Sequence, residues 1–362
     1  MDKRKINVTQ SSLPPLSEYI EYLEKIWETR VLSNNGPMVQ ELEKQLAEFL
    51  SIKNFVAVSN GTIAIQMAIK ALDLKGEIIT TPFTWIATLS AIQWEKCTPI
   101  FCDIDPDTLN IDVTKIESLI TNKTTAILPV HVFGNPCDVY EIKQIAKKYN
   151  LKVVYDAAHA LGSTINGKSV LEYGDVSTVS LHATKLFNTA EGGGCLTRSA
   201  QLNQRLKEIR LFGFDEQKSI SSQGLNGKMS EINAALGLSN MKYLGDILLD
   251  RQKKYKIYAE FFDQHRDFKL QKLNGSGSNC SYFAVICKDE YLLHKLQKVL
   301  EKHSIYGRQY FYPSLDQLPQ FQNIDHKFHS VDIAKRIFCL PLYYDLKITD
   351  IQRIIQLVDK NI

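Results

Sequence analysis

The residues best suited to chemistry lie in Ser177–Arg198, where alternating Ser, Thr, Val and Leu reach a lone lysine, Lys185. The chain then passes through Glu191-Gly192-Gly193-Gly194 into a second apolar run. A lysine held at a strand end beside a ligand loses solvation, and a lowered pKa lets it attack a carbonyl. The glycines suit a backbone that takes unusual dihedrals or approaches a ligand closely. Alone, Lys185 is one solvated lysine among many, and its weight comes from what stands upstream. Leu151–Tyr155 is an apolar strand that delivers Asp156, and His159 follows three residues later. Taken singly, Asp156 reads equally as a helix cap and His159 as a core histidine. Phe55–Val58 runs into Ser59-Asn60-Gly61-Thr62 ahead of the helical stretch Ile63–Leu72. Such a strand–turn–helix gathers free amides and hydroxyls at a dipole end that favours anions, although a plain N-cap is the commoner use. Trp85, just beyond the strand Glu77–Thr81, offers a flat apolar face for stacking; an aromatic there is more often core.

The elements that must position these residues alternate strand and helix from Phe55 to about Gly194. That alternation predicts an α/β layered domain with a mostly parallel sheet. Ligands bind beyond the carboxyl ends of such strands. Ser59, Thr62, Trp85, His131, Asp156 and His159 all follow strand ends, so one cleft is expected to hold them. Helical periodicity marks Leu16–Arg30 and Met38–Leu50 ahead of the sheet. A long helical pattern begins at Ser230-Glu231 and runs towards His265, with a break expected near Gly245. The predicted division is a large domain over 1–245 and a smaller α+β domain over 246–362.

Composition narrows the function classes. The 43 basic and 40 acidic residues nearly cancel, so bulk charge supports neither nucleic-acid nor membrane-surface binding. MDKRKINVTQ lacks a following apolar segment and does not read as a signal peptide. The window Ile78–Trp94 is too polar and interrupted for a membrane span. Seven scattered cysteines without CxxC spacing suit buried thiols in a reducing, cytoplasmic setting, and argue against a metal site. No GxGxxG or Walker loop occurs, against a dinucleotide fold of the usual kind.

An anion cradle, an aromatic platform, a strand-end carboxylate and a downstream lysine together suggest pyridoxal 5'-phosphate. Its phosphate needs donors at a helix start, its pyridine nitrogen a carboxylate, and its aldehyde a lysine. The chain also resembles the DegT/DnrJ/EryC1/StrS family of sugar aminotransferases. The resemblance rests on SNGTIAI (Ser59–Ile65), TPFTWIAT (Thr81–Thr88), PVHVFGNPCDV (Pro129–Val139), DAAHALG (Asp156–Gly162), SLHATKLFNTAEGGG (Ser180–Gly194) and GLNGKMSEINAALGL (Gly224–Leu238). It implies the aspartate-aminotransferase (type I) fold, with a seven-stranded, mostly parallel sheet between helices. It further implies that Lys185 attaches the cofactor and carries the proton, Asp156 pairs with the ring nitrogen, and His159 sits near the ring hydroxyl. Trp85 would stack on the ring, and Gly61, Thr62 and Ser180 would hold the phosphate. Asn226 would reach the phosphate of a neighbouring subunit in a homodimer with shared sites. Lys228, with Arg308 and Tyr310 of the segment Arg308–Pro313, would meet substrate. For the last two, aromatic packing is an equally good reading, as it is for Pro341–Tyr344.

The implied reaction moves the amine of L-glutamate to a keto group on a nucleotide-linked hexose. Dehydratase members carry a histidine in place of the lysine, so HATK disfavours dehydration. The Asn34-Asn35-Gly36-Pro37 turn and the NGKMSE wording are most similar to members that aminate C4 of dTDP-4-keto-6-deoxyglucose for O-antigen or other surface glycans. Three alternatives stay open: a C3-aminotransferase on a dTDP-3-keto-6-deoxyhexose, a related enzyme acting on amino acids alone, and a non-catalytic binder.

Overall fold

The computed structural model describes residues 4–274, 277–321 and 328–362. Its main sheet has seven strands: β1 (Val56–Val58), β2 (Glu77–Thr80), β3 (Thr98–Phe101), β4 (Thr124–Leu128), β5 (Lys152–Asp156), β6 (Val176–Ser180) and β7 (Gly193–Leu196). Their order is β1-β7-β6-β5-β4-β2-β3. Only β7 runs against its neighbours; the other pairs are parallel. The carboxyl ends of the remaining six strands therefore share one edge.

Continuous apolar runs build this sheet because both of its faces are covered. Ile78, Ile79, Ala126, Ile127, Val153 and Val154 are all buried. Helix Gly61–Ala71 lies against β6 and β7 and is buried on nearly every side, which explains its run of Ala, Ile and Met. On the other face, the apolar stripe of Val139–Tyr149 buries Val139, Ile142, Ile145 and Ala146. Asp138 caps that helix through the Glu141 amide at 3.0 Å.

The expected connecting helix is two helices, Glu231–Met241 and Leu244–Phe262, with the break at Lys242 and Tyr243. The second carries Tyr258 and Phe262 into a separate apolar core with Phe283, Leu293, Leu296 and Ile354. This core covers a three-stranded antiparallel sheet, β8 (Phe268–Leu270), β9 (Phe283–Cys287) and β10 (Ile337–Leu340), in that order. Ile6 also lies in this core, because the short strand Ile6–Asn7 pairs in parallel with Ile305–Tyr306. The N-terminal stretch thus joins the carboxyl-terminal unit by pairing. A further aromatic cluster of Phe83, Phe133, Tyr282 and Phe311 joins the two units beside the carboxyl edge of the main sheet. All seven cysteines are free and buried. Among the described residues, no helix is long and apolar enough to cross a membrane, and no cluster of His, Cys, Asp and Glu could hold a metal.

Candidate active site

A cleft of about 500 Å³ opens at the carboxyl edge of the main sheet. At its floor, β1 ends and the helix Gly61–Ala71 begins. Asn60 is the cap, its Oδ1 accepting the Ile63 amide at 2.9 Å. The Gly61 and Thr62 amides have no backbone or side-chain partner among the described residues, so they aim unpaired donors and the helix dipole into the cleft. Ser180, at the end of β6, lies against this turn. A Cβ on Gly61 would come 3.0 Å from the Ser180 Cβ, so glycine is what lets hydroxyl and amides converge. The triple glycine has a different role from the one its composition suggested. None of its three residues has a positive φ. A Cβ on Gly193 would stand 2.5 Å from the Asn60 carbonyl carbon, and one on Gly194 would stand 2.3 Å from the Phe55 ring. These glycines let β7 press against the chain's own cradle.

Asp156 ends β5 and is 5% exposed. Its Oδ2 accepts the Thr88 hydroxyl at 2.7 Å and its Oδ1 the Ala158 amide at 3.0 Å. Burial pushes this carboxyl above the usual range, while those two hydrogen bonds and the Lys185 charge pull it back. His159 stacks on Phe133 and Phe311 at centroid distances of 6.2 and 5.9 Å. Asn279 and Ser281 hold its carbonyl, and its buried Nδ1 has no hydrogen-bond partner. Burial, with the Lys185 charge, holds this imidazole well below its ordinary pKa, so it is neutral. Lys185 sits in the loop between β6 and β7. Burial lowers its amine to about 8, against an upward pull from Asp156.

Trp85 precedes helix Ile86–Trp94 with its ring 50% exposed. The Arg308 guanidinium lies 5.7 Å from this ring and 4.7 Å from that of Tyr310. Trp85 and Tyr310 meet edge to face at 6.3 Å. Of the residues assigned from sequence to catalysis, cofactor or substrate, all but Asn226 and Lys228 line this cleft. Asn226 is exposed outside it, and Lys228 instead stacks its amine over Phe212 at 4.3 Å. His131 departs from the strand-end expectation, being fully buried with its ring stacked on Tyr155 at 4.7 Å. Pro341–Tyr344 is packing: Tyr343 is buried and the Pro341 carbonyl accepts from Tyr258. Sequence reasoning missed Thr88, Tyr282, His182 and Phe311, which also line the cleft.

Unpaired amides at the cradle, an orphaned imidazole nitrogen, a buried carboxylate and a half-exposed indole match the needs of pyridoxal phosphate. A model of the DegT/DnrJ/EryC1/StrS aminotransferase family matches residues 16–359. The chain belongs to this family. It is 40% identical to the dTDP-4-amino-4,6-dideoxy-D-glucose transaminase of Shigella dysenteriae over 351 residues, 95% of each chain. The Escherichia coli transaminase of the same name is 39% identical over 356 residues, 96% of each chain. Among solved structures, DesI in the presence of its TDP-sugar product is 30% identical with a TM-score of 0.92, over 99% of this chain and 93% of that one. NtdA from Bacillus subtilis, with bound cofactor PMP, is 27% identical with a TM-score of 0.88, over 95% and 81%. The protein is a pyridoxal-phosphate-dependent aminotransferase with the α/β fold of the sugar-modifying members.

Proposed function

We propose that the protein transfers the amine of L-glutamate to C4 of dTDP-4-keto-6-deoxy-D-glucose, giving dTDP-4-amino-4,6-dideoxyglucose for surface glycans such as O-antigen. The observation that carries the reaction class is that Lys185, Asp156 and the Gly61–Thr62 cradle line one cleft, where burial lowers the lysine amine. The sugar rests on the two transaminases that match this chain nearly end to end. When bound, pyridoxal phosphate supplies an aldehyde for attachment and a ring that withdraws electrons from the substrate carbon. Lys185 would supply the attaching amine and, when free, carry the proton to and from that carbon. Asp156 would hold the ring nitrogen protonated. The Gly61 and Thr62 amides and the Ser180 hydroxyl would hold the phosphate, with Trp85 and His159 as the ring's neighbours. Arg308 and Tyr310 form the opposite wall, where substrate enters.

The division at residue 245 places that wall in the smaller domain and the cradle in the larger. The working unit is a cytoplasmic homodimer. Leu13, Leu16, Trp27, Leu32, Phe214 and Ile220 are all exposed apolar side chains that a second copy would cover. Asn226, outside its own cleft, and Lys228 would then serve the neighbouring site.

The test is the visible absorption of the cofactor-loaded protein with L-glutamate, followed by dTDP-4-keto-6-deoxyglucose. The band is expected to bleach with the donor and return with the sugar. Return only with a 3-keto sugar would move the reaction to C3, and absence of bleaching would refute transamination.

A further inference from the structure

Asp103 stands two residues beyond β3 and is 3% exposed. Its Oδ1 accepts the Ile104 amide at 2.8 Å and the Ser330 amide at 3.1 Å. Its Oδ2 accepts the His329 amide at 2.8 Å and the Lys115 ammonium at 3.3 Å. The helix His329–Arg336 has no side-chain cap from its own N-cap position. The carboxylate that satisfies its first amides comes from 226 residues earlier, on the edge of the main sheet. A buried carboxylate at a helix N-terminus makes strong, charge-assisted hydrogen bonds there.

The other end of this short helix leads directly to the substrate wall. The Ala334 carbonyl accepts from the Gln309 side chain at 2.8 Å. The helix runs straight into β10, and Cys339 of β10 exchanges both backbone hydrogen bonds with Arg308, at 3.0 and 2.8 Å. Gln309 separates Arg308 from Tyr310, the pair that meets Trp85. Backbone continuity and hydrogen bonds thus connect one buried carboxylate of the large unit to the wall facing the cofactor cradle. We infer that Asp103 is a positioning residue for the acceptor substrate, fixing Arg308 and Tyr310 over Trp85 through the helix it caps. The inference rests on the assignment of that wall to substrate.

The experiment compares wild type, Asp103→Asn and Asp103→Ala by hydrogen exchange and by the kinetics of each half-reaction. Loss of a cap shifts a local opening equilibrium by about tenfold. In Asp103→Ala, amides of 308–311 and 329–340 should exchange about tenfold faster, with β2, β4 and β5 unchanged. KM for the keto-sugar should rise about tenfold, with kcat and the glutamate half-reaction within about threefold of wild type. Asp103→Asn keeps an acceptor of the same size and should recover part of both effects. If the alanine variant does not fold, the asparagine variant is read against the same expectations at smaller scale. Unchanged exchange at 308–311, or equal rises in donor and acceptor KM, overturns the inference. Wild type that aminates no keto-sugar, with exchange still loosened at 308–311, sinks the assigned acceptor and leaves the positioning role standing.

Discussion

Thr88→Val removes one hydroxyl and tests whether Asp156 is held ionised to receive the cofactor. Thr88 is fully buried, and its single proton goes to Asp156 Oδ2 at 2.7 Å. The 2.9 Å contact between the Thr84 and Thr88 hydroxyls must then have Thr84 donating, so the two threonines form a relay pointing at the carboxylate. Valine nearly preserves the shape but removes a hydrogen bond to a charged group, about 1.5–3 kcal/mol. Without that donor the Asp156 carboxyl moves further above the usual range. Only the ionised form holds a protonated ring nitrogen. Cofactor affinity is therefore present above this pKa and is lost as pH falls through it. The variant should lose affinity by about 10- to 100-fold near that midpoint, with the midpoint displaced upward. Titration of cofactor-free protein with pyridoxal phosphate, followed by visible absorption across acidic and neutral pH, measures both. An unchanged midpoint with affinity within about threefold would show that Thr88 does not govern Asp156.

Four more perturbations address the lysine, the cradle and the exposed surface. The rate of cofactor capture should climb with pH up to about 8, where the Lys185 amine becomes neutral, and level off above it; stopped-flow absorbance that keeps climbing beyond pH 9.5 contradicts a lowered lysine, and Lys185→Ala should fold yet show neither capture nor turnover. Gly193→Ala drives a methyl against the Asn60 backbone, which has nowhere to yield; a stability loss of about 1–3 kcal/mol in denaturant melts, with weaker cofactor binding, is expected. Ile220→Glu places a charge on the exposed apolar surface; sedimentation should show monomers with little loss of melting temperature, and a dimer of unchanged affinity would place the interface elsewhere.

How much of this site was legible depended on how local its construction is. Asp156, Gly61 and Lys185 each follow a strand within a few residues, so a short window of sequence contains both the element and the residue it delivers. The same rule failed at His131 for a geometric reason. Side chains alternate across a strand end, and here Val130 turns into the cleft while His131 turns away against Tyr155. The rule locates the backbone at the edge without saying which of two successive side chains faces the ligand. Thr88 carried no signal because a threonine one turn into an apolar helix looks the same whether its hydroxyl bonds its own backbone or a distant carboxylate.

The acceptor wall was legible least, and its construction explains why. Arg308 and Tyr310 sit where they do because β10 holds Arg308, because helix His329–Arg336 feeds β10, and because Asp103 caps that helix. Tyr282 enters the cleft from the segment just before β9, in the same antiparallel sheet. None of these links joins residues close in sequence, so no window of the chain displays them. The cradle is built from strand–turn–helix units, each contained in a short stretch of sequence. The wall opposite it is built from long-range contacts. The chain therefore announces its cofactor chemistry in short motifs, while the placement of 308–311 opposite Trp85 is set by contacts between residues far apart in sequence.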